Sequence, residues 1–176
     1  QPQGGALPTL FNVKMWMLFL DDLPFISSLM YPYQQRSLSY YTTQHDDCGW
    51  LGGTALMIPK KVFEKVEGWD TNIYMYGEDV ELCVRLHNAK YPIGYTPEAS
   101  ITHHQHQSVG SSRSRIGEFE GLLYIWKKHH ASWELPFLRL VLWFGAWLRV
   151  IVFGILGGDE KRKTTYLKAQ SVALMA

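Results

Sequence analysis

The chain has few of the features that mark secreted or nucleic-acid-binding proteins. It contains two cysteines, Cys48 and Cys83, which are too few for a disulfide framework and favour a reducing compartment. The 17 lysine and arginine residues nearly balance the 16 aspartate and glutamate residues, which leaves a net charge of +1. Nucleic-acid-binding domains normally carry a clear basic excess, so we expect no nucleic-acid polymer as a partner.

The sequence shows no internal repeats and no low-complexity tracts. The chain opens with Gln1 and shows no basic stretch followed by an apolar one, so no signal peptide is predicted. We expect the sequence to be a processed or excised piece of a longer protein. Its 176 residues, 47% of them hydrophobic, suffice for about one domain with a real core.

Two common phosphate-binding motifs are missing as well. The sequence has no Asp-x-Asp motif and no glycine-rich loop after a predicted strand. It does have an acidic pair, Glu78-Asp79, at the predicted start of a helix, and His103 at the end of a predicted strand. This pattern is consistent with a general base on one element and a metal or phosphate ligand on the next.

The chain divides into three predicted parts. Residues 1–47 form an N-terminal segment with a helix over Phe11–Leu20 and an aromatic loop. Residues 48–131 form the predicted functional core, and residues 132–176 hold an apolar helix and a basic tail.

Predicted strands and helices alternate in the middle part of the chain. The paired Gly52-Gly53 within the first strand indicates close approach of a ligand or of another backbone. The predicted strands are Trp50–Ile58, Pro92–Tyr95 and Ala99–His103. The predicted helices are Val62–Val66, Gly77 to about Lys90, and a helix that follows Arg115 and closes at Lys127–His130. Helical spacing predicts an inward face of Val80, Cys83, Val84 and His87 on the second helix, and an apolar stripe of Ile116, Phe119, Leu122, Leu123 and Trp126 on the third.

These motifs resemble the C-terminal half of the family 2 inverting glycosyltransferases, and most closely their bacterial rhamnosyltransferase-like members. The resemblance runs from Gly49 to about His130, roughly half of the chain. The segments that carry it are Gly52-Gly53, Gly68-Trp69-Asp70, Tyr76-Gly77-Glu78-Asp79-Val80-Glu81-Leu82-Cys83-Val84-Arg85, Tyr95-Thr96-Pro97-Glu98-Ala99-Ser100-Ile101-Thr102-His103-His104, Ser108, Arg113 and Lys128-His129.

The resemblance implies an α/β fold of the GT-A type, of which this chain holds the acceptor-side portion. By the match, Asp79 is the general base that deprotonates the acceptor hydroxyl, with Glu78 beside it, and His103 completes the shell of Mn²⁺ or Mg²⁺. The family's donor-binding half carries an Asp-x-Asp motif, which these residues lack, so the isolated chain is expected to be inactive. The missing half would precede it or come from a partner chain. The implied partners are a nucleotide-sugar donor and a glycan or lipid-linked acceptor.

The sequence departs from the family pattern at two places. Trp69 stands where the family usually has phenylalanine, which is a mild change. Gln105-His106-Gln107 stands where glycines are usual, so the loop after His103 is expected to have a different shape.

Each candidate residue also has a structural alternative. Glu78 and Asp79 can simply complement the helix dipole, and His103 can be structural.

The candidate substrate-binding residues are Gly52, Gly53, Trp69, Asp70, Arg113 and Arg115. The two arginines can contact a diphosphate or flank a helix in solvent. The aromatic rings of Trp69, Tyr74 and Tyr76 can stack on a sugar or cover the core. His104 and His106 can join a zinc site or lie in solvent.

The C-terminal part contains an apolar run from Leu140 to Leu156, in which Arg149 is the one charged residue. As a helix the run covers about 25 Å, which is short of a bilayer's hydrocarbon core. Arg149 within it also disfavours spanning. We therefore expect an interfacial or re-entrant helix on the cytoplasmic face of a membrane, in a peripheral protein that stays folded when cut near Pro136. The alternative is that the run packs against protein.

Two classes of function remain open from the sequence. The first is an inverting glycosyltransferase that acts on a cell-envelope polysaccharide precursor. The second is a non-catalytic interaction or scaffold subunit that retains a remnant of the glycosyltransferase fold. The acidic pair and His103 favour the first, and the absent donor motif favours the second.

Overall fold

The computed structural model describes residues 3–27, 29–103 and 111–175. Helices dominate this part of the chain. They are α1 (Leu10–Met17), α2 (Pro24–Ser27), α3 (Lys60–Lys65), α4 (Glu78–Asn88), α5 (Ser111–His129), α6 (Leu135–Arg149) and α7 (Glu160–Met175). A π-helical segment, Val150–Leu156, continues α6, and 3-10 turns cover Tyr40–Thr42, Gly53–Ala55 and Ser132–Glu134.

The main core is built from four helices. Helices α1, α5, α6 and α7 contribute the buried side chains, and α7 packs against both α5 and α6. The apolar stripe predicted for α5 is confirmed, because Phe119, Leu122, Leu123 and Trp126 are each 1% exposed. Helix α1 confirms the predicted N-terminal helix, although it ends at Met17 rather than Leu20.

The strand predictions were largely wrong. Strand β1 (Gly4–Gly5) pairs antiparallel with β2 (Trp50–Leu51), and after Leu51 the chain turns into the 3-10 segment. Tyr95 makes a single bridge to His45, and residues 99–103 form no strand. An isolated extended segment is not stable without ladder partners, and the described residues offer no further strand to pair with. The α/β GT-A architecture therefore stays a prediction.

Helix α4 contributes to a second, smaller hydrophobic core. Leu82, Cys83 and Leu86 pack with Cys48 and Leu51 beneath the short sheet. Val80 and Val84 face Ile125 of α5. The predicted inward face of α4 is confirmed for Val80, Cys83 and Val84, so this helix joins the sheet on one side to the main helical core on the other.

The helical segment that contains the C-terminal apolar run is longer than predicted, and one of its faces is part of the protein core. The continuous helical segment Ser132–Leu156 has 25 residues, enough in length and composition to cross a membrane, although core helices pass the same test. Leu138, Leu142 and Ala146 are fully buried against the other helices. Removing the residues after Pro136 would open the main core, which argues against the expectation that such a chain stays folded.

Candidate active site

Asp79 lies in the first turn of α4, directly against the glycine pair. One carboxylate oxygen accepts a hydrogen bond from the Gly53 backbone N–H at 3.0 Å, and the other accepts from the Val80 N–H at 2.8 Å. A Cβ added to Gly53 would lie 3.6 Å from the Asp79 Cβ and 3.7 Å from the Trp69 ring. The structure therefore brings Gly53, Trp69 and Asp79 together.

Trp69 forms one wall of this site. Its indole is 42% exposed and stacks edge-on against Phe63, with ring centroids 6.1 Å apart. A large aromatic surface that is held by packing but open to solvent suits stacking against a sugar ring.

His103 reaches the same region through Gln3. The Gln3 side-chain nitrogen lies 3.4 Å from His103 Nδ1, and the Gln3 backbone carbonyl accepts a hydrogen bond from the Gly52 N–H at 2.9 Å. Gln3 therefore connects His103 to the glycine pair, next to Asp79. His104 and His106, the alternative zinc ligands, lie outside the described residues.

Both acidic residues at the start of α4 have raised pKa values. Burial raises the pKa of Asp79, against the opposing effect of its hydrogen bonds from Gly53 and Val80, and the charge of Glu118 adds to the rise. Burial also raises the pKa of Glu78, and the charge of Asp79 adds to it. One Glu78 oxygen is buried without a hydrogen-bond partner among the described residues. A carboxylate whose pKa is raised toward neutrality is better suited to accept a proton in catalysis.

The Asp70 side chain belongs to a network of ion pairs and hydrogen bonds and does not line an open cleft. Its carboxylate accepts hydrogen bonds from the Tyr124 hydroxyl at 2.7 Å, from Lys128 Nζ at 2.6 Å, and from the backbone and side chain of Asn72 at 2.9 Å. The hydrogen bond from Lys128 is the main reason that the pKa of Asp70 is well below its usual range. Asp70 thus ties the Trp69 turn to α5.

Glu81 is the centre of this network, although by sequence it is one of three acidic residues in the first turn of α4. Its fully buried carboxylate accepts hydrogen bonds from Arg85 Nε at 2.9 and 2.8 Å, Lys128 Nζ at 2.8 Å and His129 Nε2 at 2.9 Å. The available signal was the pairing of Glu81 with Arg85 four residues later, together with the matched Lys128-His129. Arg85 continues the network to the carbonyls of Val66 and Gly68, at the base of the Trp69 turn.

The turn before α4 also packs directly on α5. Gly77 has a positive φ of 114°, which side chains rarely adopt, and a Cβ on Gly121 would lie 2.4 Å from the Tyr76 carbonyl oxygen. These two glycines let the backbone of the turn contact α5. The network and this contact together fix where α4 begins, and hence where Asp79 is placed.

Arg113 and Arg115 are not brought together. Arg113 pairs with Glu120 at 3.3 Å and lines a cavity of about 330 Å³ with Tyr74, Tyr76 and Tyr124. Arg115 pairs with Glu118 at 2.9 Å and lines a different cavity of about 600 Å³. The structure thus separates the two arginines that the sequence grouped as one candidate diphosphate contact.

The described residues do not form a metal site by themselves. Across residues 3–27, 29–103 and 111–175, no three histidine, cysteine, aspartate or glutamate side chains are grouped so that they could hold an ion. His103 is one potential ligand, and the sequence has no Asp-x-Asp carboxylates to accompany it.

Sequence comparison relates about half of the chain to enzymes that transfer a sugar. Over 91 residues the chain is 34% identical to N-acetylglucosaminyl-diphospho-decaprenol L-rhamnosyltransferase of Mycobacterium tuberculosis, a match covering 50% of this chain and 30% of that protein. The chain is similar to rhamnosyltransferases. Over 66 residues it is 33% identical to rhamnosyltransferase WbbL of Escherichia coli K12, covering 38% of this chain and 25% of that protein.

These matches support a rhamnosyltransferase-like glycosyltransferase function at a general level. The matched region spans less than a third of the length of either relative. No family model matches the chain, and no solved structure matches it.

Proposed function

We propose that this chain is the acceptor-side part of an inverting, family 2 type glycosyltransferase that transfers a sugar from a nucleotide-sugar donor. The observation that carries the proposal is the Asp79 carboxylate, whose pKa is raised and which accepts a hydrogen bond from the Gly53 backbone where the exposed Trp69 ring also lies close to Gly53. The relatives' names support the reaction class.

In the proposed reaction Asp79 takes the proton from the acceptor hydroxyl. The hydroxyl oxygen then bonds to the anomeric carbon of the donor sugar while the bond to the nucleotide diphosphate breaks. Attack from the face opposite the leaving group inverts that carbon. Trp69 would hold the acceptor sugar by stacking, and the hydrogen bonds from Gly53 and Val80 fix the direction in which the carboxylate points. Residues that hold the donor phosphates would lie outside these 176 residues.

The acceptor in this proposal is a lipid-linked saccharide, as the name of the mycobacterial relative indicates for that protein. The exposed face of the C-terminal helix suits such an acceptor. Five apolar side chains on the side opposite the buried face are 42–65% exposed, namely Trp133, Phe137, Leu140, Phe144 and Trp147. We propose that this aromatic face rests on the cytoplasmic surface of a membrane, since tryptophan rings favour the interface.

Replacing the proposed base tests the function. In a protein that carries this segment together with a donor-binding part, Asp79→Asn keeps the side-chain shape but removes the proton acceptor. Turnover should fall by about 10²–10⁴-fold, which is the usual contribution of a general base. Asp46→Asn, at an exposed position, is the matched control and should leave turnover unchanged. Near-normal turnover in Asp79→Asn would refute the assignment.

A further inference from the structure

The larger of the two cavities described above lies between α1, α5, α7 and the π-helical segment. Its volume is about 600 Å³, and its lining includes five basic side chains, Arg36, Arg115, Arg149, Lys161 and Arg162. Two aspartates, Asp22 and Asp159, also line it. Basic side chains from four separate parts of the chain therefore converge on one space.

Arg149 is the unusual member of this group. Its side chain is 3% exposed and donates hydrogen bonds to the backbone carbonyls of Trp16 at 2.8 Å, Gly145 at 3.3 Å and Met17. No direct ion pair joins it to a carboxylate in the described part of the chain, although its charge opposes the rise in the pKa of the buried Asp21. A buried cation without a directly paired counter-charge is costly, so an anion in the cavity would stabilise it.

The other basic side chains of the cavity are accessible to solvent, although three of them form ion pairs with carboxylates. Arg36 pairs with Asp22, Arg162 with Asp159 at 3.2 Å, and Arg115 with Glu118 at 2.9 Å. The side chains of Arg36, Arg115 and Arg162 are 43%, 45% and 60% exposed, so an incoming anion can contact them. Lys161 is exposed at the same cavity.

Apolar surface adjoins the cavity. Phe153 lines it and belongs to the π-helical segment, and Ile155 and Leu156 on that segment are 63% and 77% exposed. π-Helical turns are rare and often occur at functional sites. An anionic group in the cavity, attached to an apolar chain lying along this segment, would contact both kinds of surface.

We infer that this basic cavity binds the diphosphate group of an amphiphilic lipid. Several arginine forks distributed around one space suit the many oxygens of a diphosphate. The identity of that lipid rests on the proposed function, under which it is the lipid-linked acceptor. Glu118 couples the two sites, because it pairs with Arg115 at the cavity and its charge raises the pKa of Asp79.

Titration of the full 176-residue chain with inorganic pyrophosphate in a calorimeter tests the cavity without any turnover. The variant R36Q/K161Q removes two charges at accessible cavity positions and leaves the buried Arg149 in place. The variant K127Q/K168Q removes the same charge from exposed positions that do not line the cavity. Circular dichroism of the two variants checks that they are folded.

We expect pyrophosphate to bind, and R36Q/K161Q to weaken binding by about tenfold or more, since two charge-assisted contacts are lost. K127Q/K168Q should bind as the unmodified chain does. Absence of binding at millimolar pyrophosphate, or equal weakening in the two variants, would overturn the inference.

Flotation with vesicles identifies the source of the diphosphate. Phosphatidylcholine vesicles that contain a polyprenyl diphosphate should retain more of the chain than plain phosphatidylcholine vesicles, and free pyrophosphate should compete. Equal retention by vesicles containing phosphatidylglycerol would overturn the assignment to a diphosphate lipid. Pyrophosphate binding is independent of Asp79, so failure of the proposed base would leave this result intact, and failure here would leave the Asp79 test intact.

Discussion

The Asp79 carboxylate accepts a hydrogen bond from the backbone N–H of Gly53, 26 residues earlier in the chain, at 3.0 Å. This contact joins the start of α4 to the glycine pair that follows β2. Position 53 carries only hydrogen, so the space that a side chain would take beside Asp79 and Trp69 is open there.

Filling that space should block the proposed reaction without unfolding the chain. In Gly53→Ala the new methyl carbon would lie 3.6 Å from the Asp79 Cβ and 3.7 Å from Trp69, which are ordinary contact distances. We expect near-normal thermal stability and reduced acceptor turnover in a protein that also binds donor.

Gly121→Ala is the contrasting variant for that experiment. Its Cβ would lie 2.4 Å from the Tyr76 carbonyl oxygen, so the α4 turn would have to move from α5, and the melting temperature should fall. Full turnover in Gly53→Ala would show that no substrate group passes Gly53.

Removing the Trp69 ring should weaken acceptor binding. Trp69→Ala deletes the indole near Gly53 and Asp79, which is 42% exposed. The KM for acceptor should rise by about tenfold, because the variant loses an aromatic contact with the sugar and the apolar area that this contact buries. The KM for donor should change little. Leu38→Ala, at a position 67% exposed and outside the site, is the control. An unchanged acceptor KM in Trp69→Ala would remove Trp69 from the site.

The buried Glu81 network should be central to stability. Glu81→Gln leaves Arg85 without its buried counter-charge, whereas Lys128 keeps its ion pair with Asp70. Breaking a buried pair typically costs about 3–5 kcal/mol. Urea unfolding measures this loss. Glu64→Gln breaks the exposed pair with Lys60, at 3.6 Å, and should cost less than about 1 kcal/mol. Equal losses in the two variants would contradict a special role for the network.

The same carboxylate should make stability depend on acid pH. Burial alone would raise the pKa of Glu81, but the hydrogen bonds from Arg85, Lys128 and His129 outweigh burial and lower it. The unfolded chain therefore binds this proton more readily, so the stabilisation is present above the ordinary glutamate pKa of about 4.3 and is lost as pH falls below it.

Chemical unfolding at a series of pH values between about 6 and 3 checks the sign of this effect. The unfolding free energy of the unmodified chain should fall more steeply with acidification than that of Glu81→Gln. Parallel pH profiles would show that the Glu81 pKa is not lowered in the folded chain.

The aromatic face of the C-terminal helix should carry membrane contact. Phe144→Ser/Trp147→Ser changes two side chains that are 43% and 42% exposed, so the core should remain intact. Flotation with anionic liposomes should fall by about tenfold or more, because each buried aromatic side chain contributes roughly 1.5–3 kcal/mol. Leu38→Ser/Met57→Ser removes exposed apolar side chains elsewhere and should not affect flotation. Unchanged flotation in the Phe144/Trp147 variant would favour a protein partner for this face.

Local patterns in the sequence identified the helices and the acidic pair. The spacing of Phe119, Leu122 and Trp126 predicts one buried face of α5, and Gly77-Glu78-Asp79 predicts the start of α4; both are observed. These features depend on neighbours within one or two turns, so the sequence alone determines them.

Tertiary structure decided what depends on distant partners. The segments near residues 52–58 and 99–103 lack ladder partners in the described part of the chain, so the strands predicted there do not form. Arg149, predicted to oppose membrane insertion, is instead enclosed by carbonyls of α1 and α6. Glu81 resembles an ordinary helix charge until α5 brings Lys128 and His129 to it. Burial and counter-charges come from residues far apart in the chain, and only the folded arrangement of the helices brings them together.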